Sequence, residues 1–148
     1  MKQLANEVEI NASAERVWQL LTDFARFPQW NPFIHRASGE ATIGAQLEVT
    51  IQPSGAQPMN VRPTVLKAEP NRELRWLEQL RIPGLLDVER IFTIEPLGAD
   101  HVRFTQREIF TGFLVPFRAS HHSTDTRRGF KEMNRALKLR AEQPGSAD

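Results

Sequence analysis

Four side chains in the second half of the chain could do chemistry together: Glu78, Arg90, Gln106 and Glu108. Each lies in a segment that alternates apolar and polar residues, and each falls on the apolar side of the alternation. Over 73–81, Leu74, Trp76 and Leu80 share a face with Glu78. Over 87–96, Val88, Phe92 and Ile94 share one with Arg90. Over 101–110, Val102, Phe104 and Phe110 share one with Gln106 and Glu108. Side chains of a strand point alternately to opposite faces, so burying the apolar residues takes the charged ones inward as well. A guanidinium among carboxylates on such a wall has three uses. It can close a satisfied internal ion pair, orient the polar group of a ligand, or leave Glu78 or Glu108 desolvated as an acid or base.

Turn positions set the partners across strands. A hairpin centred on Gly84 puts Trp76 opposite Phe92, Leu80 opposite Val88 and Glu78 opposite Arg90. A second, centred on Ala99, puts Phe104 opposite Ile94 and Arg90 opposite Glu108; centred on Gly98 it would bring Gln106 to Arg90 instead. Trp30, Trp76, Phe92, Phe104, Phe110 and Phe117 read first as core, and some of them must line any cavity left beside the polar groups.

Other chemistries find little support. With no cysteine there is no thiol nucleophile, thiolate metal site or disulfide, and with no tyrosine there is no phenolic acid. His121 and His122 are adjacent on a helix and diverge by about 100°. His35 and His101 fall on separate strands, so no metal site is expected. Ser120 and Ser123 have no evident base and orienter, and no glycine-rich phosphate loop occurs. Nineteen basic and eighteen acidic residues nearly balance, which argues against a nucleic-acid partner. No apolar run reaches membrane-spanning length. The absence of cysteine and of an apolar leader fits a cytoplasmic chain.

The elements that must position these groups follow from periodicity. Val8 and Ile10 alternate with Glu7, Glu9 and Asn11 in a first strand. Ser13 caps a helix whose stripe is Val17, Leu20, Leu21 and Phe24, ending near Asp23. A short turn of helix over 27–30 is closed by Asn31-Pro32. Six strands follow, over 33–40, 46–52, 60–69, 73–81, 87–96 and 101–110. A long helix then runs over 117–143, with Phe130, Met133, Leu137 and Ala141 as its apolar stripe. Toward its start the same stripe reads Ala119, Ser120, Ser123, Thr126 and Arg127. A sheet laid on that face would close on the bulky end and leave a cavity at the small end, faced by Ala119, Ser120 or Ser123. The layout predicts an α+β fold, one domain over 1–143 with a flexible tail at 144–148.

The string from Ile10 to Leu21, the segment Phe27-Pro28-Gln29-Trp30-Asn31-Pro32 and the ending Gly129 to Lys138 resemble the START-like superfamily. The nearest branch is that of polyketide cyclases, dehydratases and lipid transport proteins. The resemblance implies the helix-grip fold, in which a curved antiparallel sheet of about seven strands surrounds a long C-terminal helix. It implies a small hydrophobic ligand held between sheet and helix. The residues expected to line that site are Glu78, Arg90, Glu108, Trp76, Phe92, Phe104, Gln106, Phe117 and Ser120. No catalytic residue and no cofactor is assigned, and a homodimer is left open. A cyclase or dehydratase using Glu78 or Glu108, and a co-chaperone-like interaction module, are the rival readings.

Overall fold

The computed structural model describes residues 2–52, 55, 57–79, 86–112 and 115–143, with the backbone alone at 2 and 115–125. The first strand, β1 (Lys2–Ile10), leads into α1 (Ala14–Thr22). Ser13 caps α1 by accepting from the Arg16 amide at 3.1 Å, and Val17, Leu20 and Leu21 are its buried face. A 3₁₀ turn (Phe24–Arg26) and α2 (Phe27–Trp30) follow. The chain leaves helix at Asn31, which is extended before Pro32 as expected.

Strands β2 (Ile34–Ser38), β3 (Glu48–Ile51) and β4 (Met59–Val61) form a three-stranded sheet. A five-stranded antiparallel sheet has the order β1-β8-β7-β6-β5, with β5 (Thr64–Glu69), β6 (Glu73–Gln79), β7 (Asp87–Gly98) and β8 (His101–Thr111). The single strand expected over 60–69 is thus two strands in two sheets. Pro63 falls at the break, where it has no amide hydrogen to give a ladder. Its carbonyl instead accepts from Leu47 at 2.8 Å, and a bridge from Gln46 to Thr64 ties the sheets together. Between β5 and β6, Asn71 takes the left-handed conformation (φ 65°) that asparagine tolerates in a tight turn.

The long helix, α3 (Val115–Ala141), lies across the sheet, and Phe130, Met133 and Leu137 are fully buried as the stripe predicts. Asn134 is buried too, and its side-chain amide donates to the Asn6 carbonyl and Oδ1, fastening α3 to β1. The fold is the helix-grip arrangement. Among the described residues, no helix is long and apolar enough to cross a membrane. The tail at 144–148 lies outside the described residues.

Candidate functional site

Alternation along β6, β7 and β8 turns the expected face inward. Trp76, Glu78, Arg90, Phe92, Phe104, Gln106 and Glu108 are all buried. Arg90 pairs with Glu108 in the β7–β8 ladder, as a turn centred on Ala99 predicts. The β6–β7 pairing differs from expectation. Gln79 pairs with Asp87, so the connection centres on position 83 and not on Gly84. Trp76 then faces Arg90, Leu74 faces Phe92 and Glu78 faces Val88. The slip moves each pairing by two residues, and two is the side-chain period, so the same residues still point inward. Glu78 therefore reaches Arg90 diagonally, from one pleat away.

The three charges form one cluster. Arg90 Nε donates to Glu78 Oε2 at 3.2 Å, and Arg90 Nη2 lies 2.5 Å from Glu108 Oε2. Trp76 Nε1 donates to the same Glu78 oxygen at 2.8 Å, a second bond that holds that carboxylate in place. The guanidinium also lies against two aromatic faces, 5.3 Å from the Phe33 centroid and 5.8 Å from that of Phe130. Trp76, Phe92 and Phe104 continue the wall, Trp76 edge-on to Phe92 at 5.3 Å and Phe92 stacked on Phe104 at 6.2 Å.

Phe33 is not among the residues that the strand pattern places at the site. Two local features put it there. Asn31 Oδ1 accepts from the amides of Phe33 and Ile34 at 3.0 and 2.9 Å, a side-chain turn that fixes how the chain enters β2. On the helix side Gly129 makes room, since a Cβ there would come within 2.2 Å of the Phe33 ring. The sequence carries the second as a signal: a lone glycine inside a long helical pattern marks close approach.

Burial and charge act on the cluster in opposite directions. Burial disfavours the Arg90 charge, but attraction to Glu108 and then Glu78 outweighs it and holds the guanidinium above its ordinary value. For Glu108, burial and then the nearby Glu78 charge outweigh Arg90 and push the carboxyl up to about 7. A proton is therefore held more tightly in the folded protein than in the unfolded chain. The contribution of Glu108 to stability is fully present below about pH 4.5 and is lost as pH rises through about 7. Relative to Glu108→Gln, the wild type should lose on the order of 3 kcal/mol across that window. Urea unfolding of both proteins at pH 5 and pH 7.5 measures this, and a difference that stays constant with pH would show an ordinary carboxylate.

Three polar atoms of the cluster are buried with no hydrogen-bond partner among the described residues: Arg90 Nη1, a donor, Gln106 Oε1, an acceptor, and Glu108 Oε2, which has Arg90 Nη2 as its ion-pair neighbour. Gln106 Nε2 donates to a weak acceptor, Met133 Sδ, at 3.2 Å. Buried polar groups are normally satisfied, so an unused donor and acceptor on one wall mark a place where a polar ligand group would fit. Of Phe117, Ala119, Ser120 and Ser123 the backbone alone is described, so the lining and the cavity expected from their side chains lie outside the described part of the structure. No group of three metal-binding side chains occurs among the described residues.

A separate open groove of about 640 Å³ lies between the 24–28 segment and the three-stranded sheet. It shares no residue with the Arg90 cluster.

The fold and the inward polar cluster define a START-like, helix-grip protein. A family profile described as polyketide cyclase / dehydrase and lipid transport matches residues 1–142, and the chain belongs to that family. A START superfamily protein from Mycobacterium smegmatis is similar at 25% identity over 95% of this chain and 97% of its own, with a TM-score of 0.76. The di-domain ARO/CYC BexL from the BE-7585A biosynthetic pathway is similar at 14% identity and TM-score 0.71. This chain is covered over 97% and spans 48% of that protein. A norcoclaurine synthase point mutant from Thalictrum flavum, bound to a transition state analogue, is similar at 15% identity over 93% of this chain and 92% of its own, with a TM-score of 0.69. Comparison with curated protein sequences returns no match. Membership of that family supports a hydrophobic-ligand-binding or cyclase role.

Proposed function

We propose that the chain binds a small hydrophobic molecule, of lipid, polyketide-like or aromatic type, between the sheet and α3. The ligand presents a carbonyl or acidic group to Arg90, and a hydroxyl to Gln106. The observation behind this reading is the pair of unused buried atoms, Arg90 Nη1 and Gln106 Oε1, on a wall of aromatic side chains. Such walls with few polar groups are the usual composition of small-molecule sites. Glu78 and Glu108 hold the guanidinium in place, and Phe33 and Phe130 cover it. Phe117 and Ser120 would complete the lining from the helix.

A second reading is favoured by one observation, the Glu108 carboxyl raised to about 7. An acid–base group is most effective when its pKa lies near the working pH. With Arg90 to stabilise a developing enolate, Glu108 could exchange the proton needed for a cyclisation or dehydration. Native mass spectrometry of the gently purified protein tests the binding reading, with Gln106→Leu alongside. A co-purified molecule is expected on the wild type, and retention should fall about tenfold when the acceptor is removed. Protein at its bare mass, together with no binding from a panel of fatty and aromatic acids, would overturn it.

A further inference from the structure

The groove beside the three-stranded sheet has a composition unlike the interior. Its lining takes in residues 36–38 of β2, 48–50 of β3 and 60–62, which run one residue past the end of β4. Ala37, Val49 and Val61 are buried, whereas Arg36, Ser38, Glu48, Asn60 and Arg62 are exposed and Thr50 is half-exposed. Strand register arranges those six in two rows. Arg36 pairs with Thr50 and Thr50 with Asn60, while Ser38 pairs with Glu48, and Arg62 follows just past the end of β4, where it meets Glu48. The apolar residues Ala25 and Pro28, both exposed, and the buried Phe24 complete the lining. The volume lies within the range of small-molecule sites, roughly 300–1,000 Å³.

Hydrogen-bond donors dominate this surface. Arg36 makes no ion pair among the described residues. Arg62 meets Glu48 at 3.5 Å, but both side chains are largely exposed (73% and 68%), and such pairs are weak and readily exchanged. Thr50 donates its hydroxyl to Asn60 Oδ1 at 2.7 Å, which commits the Asn60 acceptor and leaves its amide hydrogens to donate. Ser38 adds a hydroxyl. Two guanidinium forks, an amide and a hydroxyl therefore face one carboxylate. Strand spacing puts the Cα atoms of Arg36 and Arg62 about 12 Å apart, close enough for both long arms to converge between the rows.

We infer that this groove is a second binding site, for a small phosphate monoester with an apolar body. A phosphate offers three acceptor oxygens in tetrahedral array, more than a carboxylate, and matches the planar fork of arginine two oxygens at a time. Its apolar body would lie against Ala25 and Pro28. Glu48 is the competitor: on binding, Arg62 turns from Glu48 to the phosphate.

Phenyl phosphate titrated into the ¹⁵N-labelled protein at fixed ionic strength tests this, with inorganic phosphate and benzoate as companion probes. Saturating amide shifts are expected at 36–38, 48–50 and 60–62, with phenyl phosphate binding at least tenfold more tightly than benzoate. The double variant Arg36→Ala/Arg62→Ala should weaken phenyl phosphate at least tenfold. Glu48→Gln should tighten it several-fold, because it removes the competing charge. All these side chains are exposed, so the variants test recognition and not folding. Inorganic phosphate binding more weakly than phenyl phosphate would support the apolar wall, and equal binding would overturn it. Benzoate binding as tightly, an unchanged affinity in the double variant, weaker binding in Glu48→Gln, or shifts centred on Arg90 and Gln106 would each overturn the site.

Discussion

Arg90→Met should destabilise the protein by about 3–5 kcal/mol, and the triple variant Arg90→Met/Glu78→Gln/Glu108→Gln should recover most of that loss. The guanidinium is only 3% exposed, with one carboxylate at 3.2 Å and another at 2.5 Å. Removing it alone leaves two buried carboxylates facing each other with no counter-charge. They must then take up protons or open the structure. With both carboxylates replaced by neutral amides, no uncompensated charge remains, and the amide oxygen at position 78 can still accept from the Trp76 indole. Urea unfolding at pH 7 separates the cases. Equal loss in the single and triple variants would mean that the cluster matters through its shape and not through its charge.

Leu137→Ala should cost about 2–5 kcal/mol in the same kind of measurement, while Leu139→Ala should change stability by less than about 0.5 kcal/mol. The two leucines are two positions apart on α3. Leu137 is fully buried against the sheet and Leu139 is 59% exposed. A full deletion of core contacts leaves a cavity that close-packed neighbours only partly collapse into. Comparable effects at both positions would show the helix rotated about its axis relative to the arrangement described.

That contrast is legible in the sequence, because helical period alone separates position 137 from 139. Period two likewise turns Glu78, Arg90, Gln106 and Glu108 inward from the pattern of apolar residues alone. Exact partners are harder to read. Gly84 looks like a turn centre, yet the ladder from Gln79 to Asp87 centres one position earlier. A turn residue marks a bend without fixing its register. The apolar alternation runs on through Pro63, although a missing amide hydrogen is a reason for a strand to end there. Phe33 over Arg90 is not readable at all. Its position depends on Asn31, on Gly129 and on β7, three segments that sequence spacing does not bring together.

The close fit of Phe33 against Gly129 also limits how α3 can move. An aromatic ring seated in a notch one residue wide acts as a key in a slot. Sliding α3 along its axis by one turn, about 5.4 Å, would bring Thr126 or Met133, which share the face of Gly129, toward the ring, where even a methyl group does not fit. The buried lower half of α3, with Met133 and Leu137 beneath it and Asn134 tied to Asn6, extends the same anchorage. A helix pinned at one end can still pivot. Motion of α3 against the sheet is therefore expected to be rotation about the Gly129 slot, leverage around a fixed point, and not translation along the helix axis.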